Sequence, residues 1–173
     1  MKETNIFLIG FMGAGKSTAA SFLHTFCGKE WIETDKRIEE QEGKSITRIF
    51  REEGEEYFRR KETEFLLALP EDRGFVVSCG GGVPMREENV KAMRSKGRIV
   101  WLYASPETVY QRVHRSHKRP LLEGNMNVDF IRKLMEERQA RYEAASDIIV
   151  VTDAKTTEEI GKEIMERLAA PEG

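Results

Sequence analysis

Residues 10–17 have the composition and spacing of a loop that binds phosphate. Four residues separate Gly10 from the run Gly15-Lys16-Ser17. Glycines permit a tight turn in which successive backbone N–H groups point into one concavity, and that concavity accepts an anion. Lys16 adds a cation, and the Ser17 hydroxyl can ligate the magnesium ion that accompanies a nucleotide. The motif therefore predicts a site for a nucleotide with its Mg²⁺.

The residues around this motif support the same interpretation. Gly13 and Ala14 keep the loop free of large side chains, and the apolar run 6–9 precedes it as a strand would. Ser17 and Thr18 begin a helix-compatible stretch, whose N-terminus favours anions. A glycine-rich turn that ends in Lys-Ser by chance is the alternative. The strand before the loop and the helix after it disfavour that alternative.

The chain has 173 residues and a formal net charge of −2, with 28 Lys and Arg against 30 Asp and Glu. This length predicts one domain, over residues 1–173, with one core. The charge balance excludes the broad basic surface of a nucleic-acid-binding protein, so any cationic site must be local. We expect a monomer without a nucleic-acid partner.

The cysteines and the apolar runs bear on the cellular compartment of the protein. Cys27 and Cys79 lie far apart, without a CxxC pair or a His cluster, which argues against a disulfide framework and a zinc site. No apolar run approaches the length that spans a membrane, and the first strand begins too early for a signal peptide. We expect a cytoplasmic protein with no membrane contact.

Five short apolar runs, rich in Val, Ile and aromatic residues, alternate with stretches of helical periodicity. The runs are 6–9, 31–32, 75–79, 98–103 and 147–151. This alternation predicts an α/β fold, in which right-handed crossovers join parallel strands and helices cover both faces of the sheet.

In such a fold, ligands bind at the carboxyl ends of the strands. The phosphate loop follows the first strand, residues 33–35 follow the second, and the glycines at 80–82 follow the third. We expect all three to line one crevice. Three consecutive glycines allow a ligand to approach the backbone closely, although a tight turn without a ligand is the alternative.

Two helical regions follow the phosphate loop and the second strand. The first is predicted over 17–25, with Phe22, Leu23 and Phe26 on its buried face and Gly28 at its end. The second covers 36–69, with breaks near glycines 43 and 54. It is longer than a crossover between two strands requires, which predicts a second binding lobe at about 36–62.

Within this lobe, segment 57–62 reads Tyr-Phe-Arg-Arg-Lys-Glu. Basic side chains beside aromatic ones can hold a carboxylate against a ring-sized substrate. A solvated helix face with Arg and Glu paired at helical spacing explains the same residues equally well. The residues alone leave both interpretations open.

Residues 112–125 are rich in basic side chains and predict a mobile lid. Phosphoryl transfer needs cations that close over the phosphates while negative charge redistributes. Arg119, directly before Pro120, is the candidate for this cation. His114 and His117 have no third metal ligand nearby and are assigned to the surface.

The order and spacing of these pieces make the chain similar to the shikimate kinases over essentially its whole length. Besides the phosphate loop, the matching pieces are Asp35, Phe58-Arg59-Arg60, Gly80-Gly81-Gly82, Arg119-Pro120-Leu121-Leu122, Glu137-Arg138 and Tyr142. The resemblance implies a three-layer P-loop NTPase fold of the nucleoside-monophosphate-kinase type, with strand order 2-3-1-4-5. It further implies transfer of the γ-phosphoryl group of ATP to the 3-hydroxyl of shikimate, a step towards the aromatic amino acids.

The resemblance implies roles for residues on the shikimate side of the crevice. Asp35 would hydrogen-bond the reacting hydroxyl and is the candidate base, while Arg59 and Arg138 would hold the shikimate carboxylate. The lobe at 36–62 would be the shikimate-binding lobe. Further substrate contacts are implied for the rings of Phe50 and Phe58 and for the backbone of Gly80, Gly81 and Gly82.

On the nucleotide side, the resemblance implies that Lys16 stabilises the transferring group, Arg119 closes over the phosphates and Arg112 stacks on adenine. Glu33 stands where the family often has the first Asp of an Asp-x-Asp pair, a position associated with a water-mediated magnesium contact. Lys155 lies near a position where the family often places an Arg beside adenine. These two departures bear on magnesium contact and on nucleotide affinity.

Two other functions share some of these motifs. A small kinase for gluconate or a nucleoside monophosphate would have the phosphate loop and the lid, but Arg59, Arg138 and the triple glycine argue against it. A nucleotide-dependent binding or regulatory module that has lost turnover is disfavoured by the intact Asp35 and Arg119.

Overall fold

The architecture of the chain comes from a computed structural model, in which residues 3–114 and 127–171 are described. Its strands are β1 (Asn5–Ile9), β2 (Trp31–Glu33), β3 (Val76–Ser78), β4 (Gly97–Tyr103) and β5 (Ile148–Val151). They form one sheet in the order β2-β3-β1-β4-β5, and every pair of neighbours is parallel. The predicted α/β fold and the strand order implied by the resemblance are both confirmed.

Helices connect these strands and follow the last one. They are α1 (Lys16–Cys27), α2 (Thr34–Glu42), α3 (Ile46–Glu53), α4 (Glu55–Ala68), a 3₁₀ turn (Val83–Met85), α5 (Glu87–Lys96), α6 (Pro106–Val113), α7 (Val128–Ala145) and α8 (Thr157–Ala169). Across the two described ranges, none of these helices is long and apolar enough to cross a membrane.

Strand β1 lies at the centre of the sheet and is buried on both faces. Phe7 and Ile9 pack with residues of α5 and α7 on one face, and Ile6 and Leu8 pack with α1 and α8 on the other. Alternate side chains of a strand point to opposite faces, so one apolar run contributes to both cores. This double burial holds the end of β1 in place, where the phosphate loop begins.

The predicted burial of Phe26 in the first helix is wrong. The buried stripe of α1 is formed by Ala19, Ala20 and Leu23, whereas 72% of the Phe26 surface is exposed. Phe26 falls on the flank of this stripe in the last helical turn, where its ring stacks on Phe22 with centroids 4.6 Å apart. Helical periodicity identified the apolar residues of α1, but it could not show which of them the neighbouring elements cover.

The region predicted as a second lobe consists of α2, α3 and α4, and the breaks fall at Gly43 and Gly54 as expected. These helices share a small core of their own, in which Ile38, Ile49 and Phe58 are buried. This small core holds α2, α3 and α4 together and so fixes the positions of the side chains that these helices carry.

Helix α4 ends against a lysine from α5. The Lys96 ammonium donates hydrogen bonds to the carbonyls of Leu66 (2.8 Å), Leu67 (2.7 Å) and Leu69 (2.8 Å). The last carbonyls of a helix have no partner within the helix and carry partial negative charge, which a cation satisfies.

We expect Lys96→Met to lower the free energy of unfolding by about 2 kcal/mol, because charged hydrogen bonds to these carbonyls are lost. Lys91→Met, on the exposed face of the same helix, is the matched control and should change this quantity by less than about 0.5 kcal/mol. Urea unfolding followed by circular dichroism measures both. Equal stability of the two variants would contradict the capping role.

Candidate active site

The phosphate loop connects β1 to α1, as its motif predicts. Gly13 and Gly15 have φ values of 77° and 102°, a backbone region that favours glycine. A Cβ on Gly13 would lie 2.7 Å from Cγ1 of Val113, so a side chain there would collide with α6. Ser17 and Thr18 are exposed in the first turn of α1, where backbone N–H groups lack helical partners.

Lys16 spans the phosphate loop. Its ammonium donates to the carbonyl of Gly10 at 2.5 Å and to that of Phe11 at 3.2 Å. These bonds hold the positive charge over the loop, where it can meet a phosphate.

Two residues from later in the chain donate hydrogen bonds to backbone carbonyls of the phosphate loop. The buried Thr152 hydroxyl donates to the Ala14 carbonyl at 2.9 Å, and Arg112 Nη1 donates to the Gly13 carbonyl at 3.0 Å. The same Nη1 also donates to the Thr152 hydroxyl at 3.2 Å. The residue after β5 and the last turn of α6 are thereby tied to the phosphate loop. Because the carbonyls of Gly13 and Ala14 accept these hydrogen bonds, the loop keeps a conformation in which its backbone N–H groups remain available to an anion.

The three glycines that follow β3 each face different charged side chains. A Cβ on Gly80 would lie 2.7 Å from Asp35 Oδ1, and one on Gly81 would lie 3.0 Å from Arg138 Nη1. A Cβ on Gly82 would collide with the Arg59 guanidinium. The absence of side chains at 80–82 is therefore what lets two carboxylates, those of Asp35 and Glu62, and two guanidiniums approach the same short loop.

Buried polar contacts fix the position of this loop. The Gly80 N–H donates to the hydroxyl of Thr34 at 2.9 Å, and Thr34 directly precedes Asp35 at the start of α2. At Gly81, the Tyr142 hydroxyl donates to the carbonyl at 2.7 Å. The Arg138 guanidinium, one helical turn before Tyr142, lies 5.7 Å from the centre of the Phe11 ring. The crevice thus brings the phosphate loop, α2 and α7 around residues 80–82.

Arg59 is held between two carboxylates of its own helix. Its Nη1 donates to Glu62 Oε1 at 2.7 Å, and its Nη2 donates to Glu55 Oε1 at 3.2 Å. Burial opposes the charge of Arg59, but these carboxylates outweigh it and raise the pKa of the guanidinium above its ordinary value. Arg59 is therefore paired at helical spacing, as one interpretation of its segment predicts, and it also reaches the loop at residues 80–82. That it binds a substrate carboxylate stays a prediction.

Glu62 is the most unusual ionisable group of the crevice. Its surface is 1% exposed, and among the described residues no donor reaches its Oε2. Burial raises the pKa of the Glu62 carboxyl to about 7; Arg59 opposes this rise, and the nearby Asp35 carboxylate adds to it. This side chain therefore changes charge near neutral pH.

Two other predicted site residues, Phe50 and Glu33, contact neighbouring side chains. Phe50 meets Phe58 edge to face, with ring centroids 5.2 Å apart. The Glu33 carboxylate lies 3.0 Å from the ammonium of Lys36. Arg119 and most of the predicted lid lie outside the described residues, and Arg112, at the start of that range, lies in α6.

Lys155, which is predicted to lie near adenine, forms an ion pair with a residue of the last helix, α8. Its ammonium lies 2.7 Å from the Glu163 carboxylate in α8. Its contact with a nucleotide remains a prediction.

Sequence reasoning missed the roles of Glu62 and Thr152. Glu62 was visible only as the acidic end of a charged segment; its spacing of three residues from Arg59 was the available signal. The hydroxyl of Thr152 supports the phosphate loop through its hydrogen bond to the Ala14 carbonyl. No local pattern marks a threonine whose partner lies 138 residues earlier.

Comparison with known proteins gives a consistent result. The family model described as shikimate kinase matches residues 12–169. A shikimate kinase of Dehalococcoides mccartyi is 40% identical over 166 residues, which cover 96% of this chain and 94% of that protein. A shikimate kinase of Persephonella marina is 40% identical over 164 residues, which cover 95% of this chain and 98% of that protein.

A solved structure is similar as well. Shikimate kinase from Acinetobacter baumannii in complex with shikimate superimposes with a TM-score of 0.90 at 31% identity, and the match covers 96% of this chain and 93% of that one.

We expect Thr152→Val, which keeps the shape of the side chain, to weaken ADP binding by about tenfold, because the Ala14 carbonyl loses its buried donor and the loop loses its support. Isothermal titration calorimetry measures the affinity. Thr25→Val, at an exposed position of α1, is the control and should bind ADP like the wild type. Wild-type affinity in Thr152→Val would show that the loop holds its shape without this bond.

Proposed function

The chain belongs to the shikimate kinase family, and on this premise we propose that its crevice binds shikimate against residues 80–82 while the phosphate loop holds ATP. The protein is thus an ATP-dependent kinase that transfers the γ-phosphoryl group to shikimate. One observation carries the assignment of residues. In the loop at residues 80–82, hereafter the glycine loop, Asp35, Arg138 and Arg59 each face a different glycine.

Arg59 and Arg138 hold the shikimate carboxylate in this proposal. Both guanidiniums reach the glycine loop, at Gly82 and Gly81 respectively. A guanidinium donates two parallel hydrogen bonds to a carboxylate, which gives both affinity and orientation. The Phe58 ring beside Arg59 and the Phe50 ring that meets it supply an apolar wall for the carbon ring of the substrate.

Asp35 acts at the opposite end of the glycine loop, beside Gly80. It accepts a hydrogen bond from the 3-hydroxyl, orients that oxygen towards the γ-phosphorus and is the candidate acceptor for its proton. The Lys16 ammonium, held over the phosphate loop, moves onto the transferring group and stabilises its charge. Arg119 is proposed to close over the phosphates from the lid at 112–125.

The remaining nucleotide contacts are assigned by position. The backbone of Gly13, Ala14 and Gly15 and the first turn at Ser17 and Thr18 surround the phosphates. Arg112 and Lys155 are assigned to the adenine side.

Magnesium is the metal that fits the available donors. A hydroxyl at Ser17 and a carboxylate at Glu33 are hard oxygen ligands of the kind that Mg²⁺ takes alongside phosphate oxygens and water. When bound, the ion would neutralise part of the phosphate charge.

The kinase is proposed to work as a cytoplasmic monomer on two small molecules, without a nucleic-acid or membrane partner. Free thiols at Cys27 and Cys79 suit a reducing compartment. The net charge of −2 gives no broad attraction for nucleic acids.

The direct test is ADP release from magnesium ATP, with shikimate, gluconate or a nucleoside monophosphate offered separately as acceptor. We expect release with shikimate alone, and none from Lys16→Ala. Release with a different acceptor would keep the nucleotide site but overturn the carboxylate assignment. No release with any acceptor would overturn the kinase itself.

Arg59→Lys should raise KM for shikimate by about 10- to 100-fold, because an ammonium lacks the planar pair of donors. KM for ATP should stay within about twofold, since Arg59 lies on the acceptor side. Arg60→Lys, an exposed neighbour on the same helix, is the matched control and should leave both constants unchanged. Steady-state kinetics with each substrate varied in turn would refute the assignment if Arg59→Lys kept the wild-type KM for shikimate.

Asp35→Asn should lower kcat by about 10²- to 10⁴-fold, because the amide cannot accept the hydroxyl proton. ATP affinity should change little, since the phosphate loop is untouched. Asp129→Asn, at an exposed position of α7, controls for the loss of one carboxylate. Unchanged turnover in Asp35→Asn would remove Asp35 from the catalytic step.

A further inference from the structure

We propose that Glu62 takes up one proton from solvent when a substrate carboxylate binds Arg59, so that Glu62 determines the pH range in which the site accepts an acid. Glu62 is a specificity-determining and positioning residue in this proposal, since it acts through Arg59. The proposal rests on the function proposed above, in which Arg59 is the receptor for the shikimate carboxylate.

The first observation is that one guanidinium serves several anions. In the described residues Arg59 already donates to Glu62 at 2.7 Å and to Glu55 at 3.2 Å. A substrate carboxylate that binds the same guanidinium becomes a third anion around one cation. Each added negative charge raises the free energy of the ionised form of the nearby carboxylates.

The second observation separates the two glutamates. The side chain of Glu55 is 58% exposed, so water screens its charge. That of Glu62 is 1% exposed, and its Oε2 lacks a donor within the described residues. Glu62 is therefore the carboxylate that responds to a further anion by accepting a proton, which would bond to this free oxygen.

The third observation is a second carboxylate beside that oxygen. A Cβ on Gly80 would lie 2.9 Å from Glu62 Oε2 and 2.7 Å from Asp35 Oδ1, so both oxygens face the same point above the glycine. Asp35 and Glu62 repel each other when both are charged, and a bound substrate excludes the water that screens them. Neutral Glu62 removes this repulsion.

The charged and titratable groups that act on Glu62 come from several segments of the chain. Arg59 lies on its own helix α4, Asp35 on α2, Arg86 before α5 and Cys79 after β3. Glu55 shares the Arg59 guanidinium, and Arg138 of α7 faces the neighbouring Gly81. Among them, only Arg59 is hydrogen-bonded to Glu62. Arg86 is engaged with Glu56, and burial raises the pKa of the Cys79 thiol far above neutrality, so neither replaces Arg59 as the group that controls the charge of Glu62.

Because burial raises the pKa of Glu62 to about 7 in the free protein, the carboxyl is largely ionised at pH 8 and must gain its proton on binding. By linkage, the dissociation constant of shikimate then rises with pH above 7. We expect an increase of about tenfold between pH 7 and pH 8.5.

Proton uptake is measured by titrating the full-length protein with shikimate in a calorimeter at pH 8, in phosphate, HEPES and Tris buffers. The slope of binding enthalpy against buffer ionisation enthalpy gives the number of protons taken up. We expect between about half a proton and one proton per shikimate for the wild type. The slope should fall to near zero in Glu62→Gln, which keeps an oxygen acceptor for Arg59.

Glu55→Gln is the matched control, since it removes the other carboxylate of Arg59 and should keep the wild-type slope. A zero slope in the wild type, with shikimate bound, would overturn this proposal and leave the proposed function intact. Uptake that persists in Glu62→Gln would also overturn it. No shikimate binding in the wild type would overturn both, and the wild-type measurement decides without any variant.

Discussion

The parallel pairing of β1 with its two neighbours places the phosphate loop and the loop at residues 80–82 on one edge of the sheet. Leu8 lies opposite Ser78 of β3 and Val100 of β4. Because the strands are parallel, the phosphate loop after β1 and the glycine loop after β3 leave the sheet at the same edge, side by side. Apolar packing on both faces keeps that edge rigid, so charged groups can be set against one another without rearrangement.

The glycine loop gathers charged side chains of both signs at this edge. Carboxylates meet it at Gly80, and guanidiniums meet it at Gly81 and Gly82. In the function proposed above, a substrate with hydroxyls at one end and a carboxylate at the other would meet carboxylates at Gly80 and guanidiniums at Gly81 and Gly82. The same crowding explains the environment of Glu62. The charged groups gathered at this loop also act on one another, and burial raises the pKa of the Glu62 carboxyl to about 7.

The sequence predicted the features that depend on local pattern. Apolar periodicity identified the strands, and the glycine spacing identified the phosphate loop, because both are set by the geometry of a few consecutive residues. The exposure of Phe26 was missed, since the edge of the surface that covers α1 depends on tertiary packing. The support from Thr152 and the burial of Glu62 were missed for the same reason: each depends on a partner or an environment from another part of the chain. The resemblance to a family assigned Arg59, which its local pattern left undecided.

The most direct measurement is a crystal structure of the protein with shikimate and magnesium ADP bound. We expect the shikimate carboxylate between the guanidiniums of Arg59 and Arg138, with the 3-hydroxyl within hydrogen-bonding distance of Asp35 and directed towards the phosphate loop. A carboxylate that meets neither guanidinium, or a 3-hydroxyl turned away from Asp35, would contradict the assignment of the crevice.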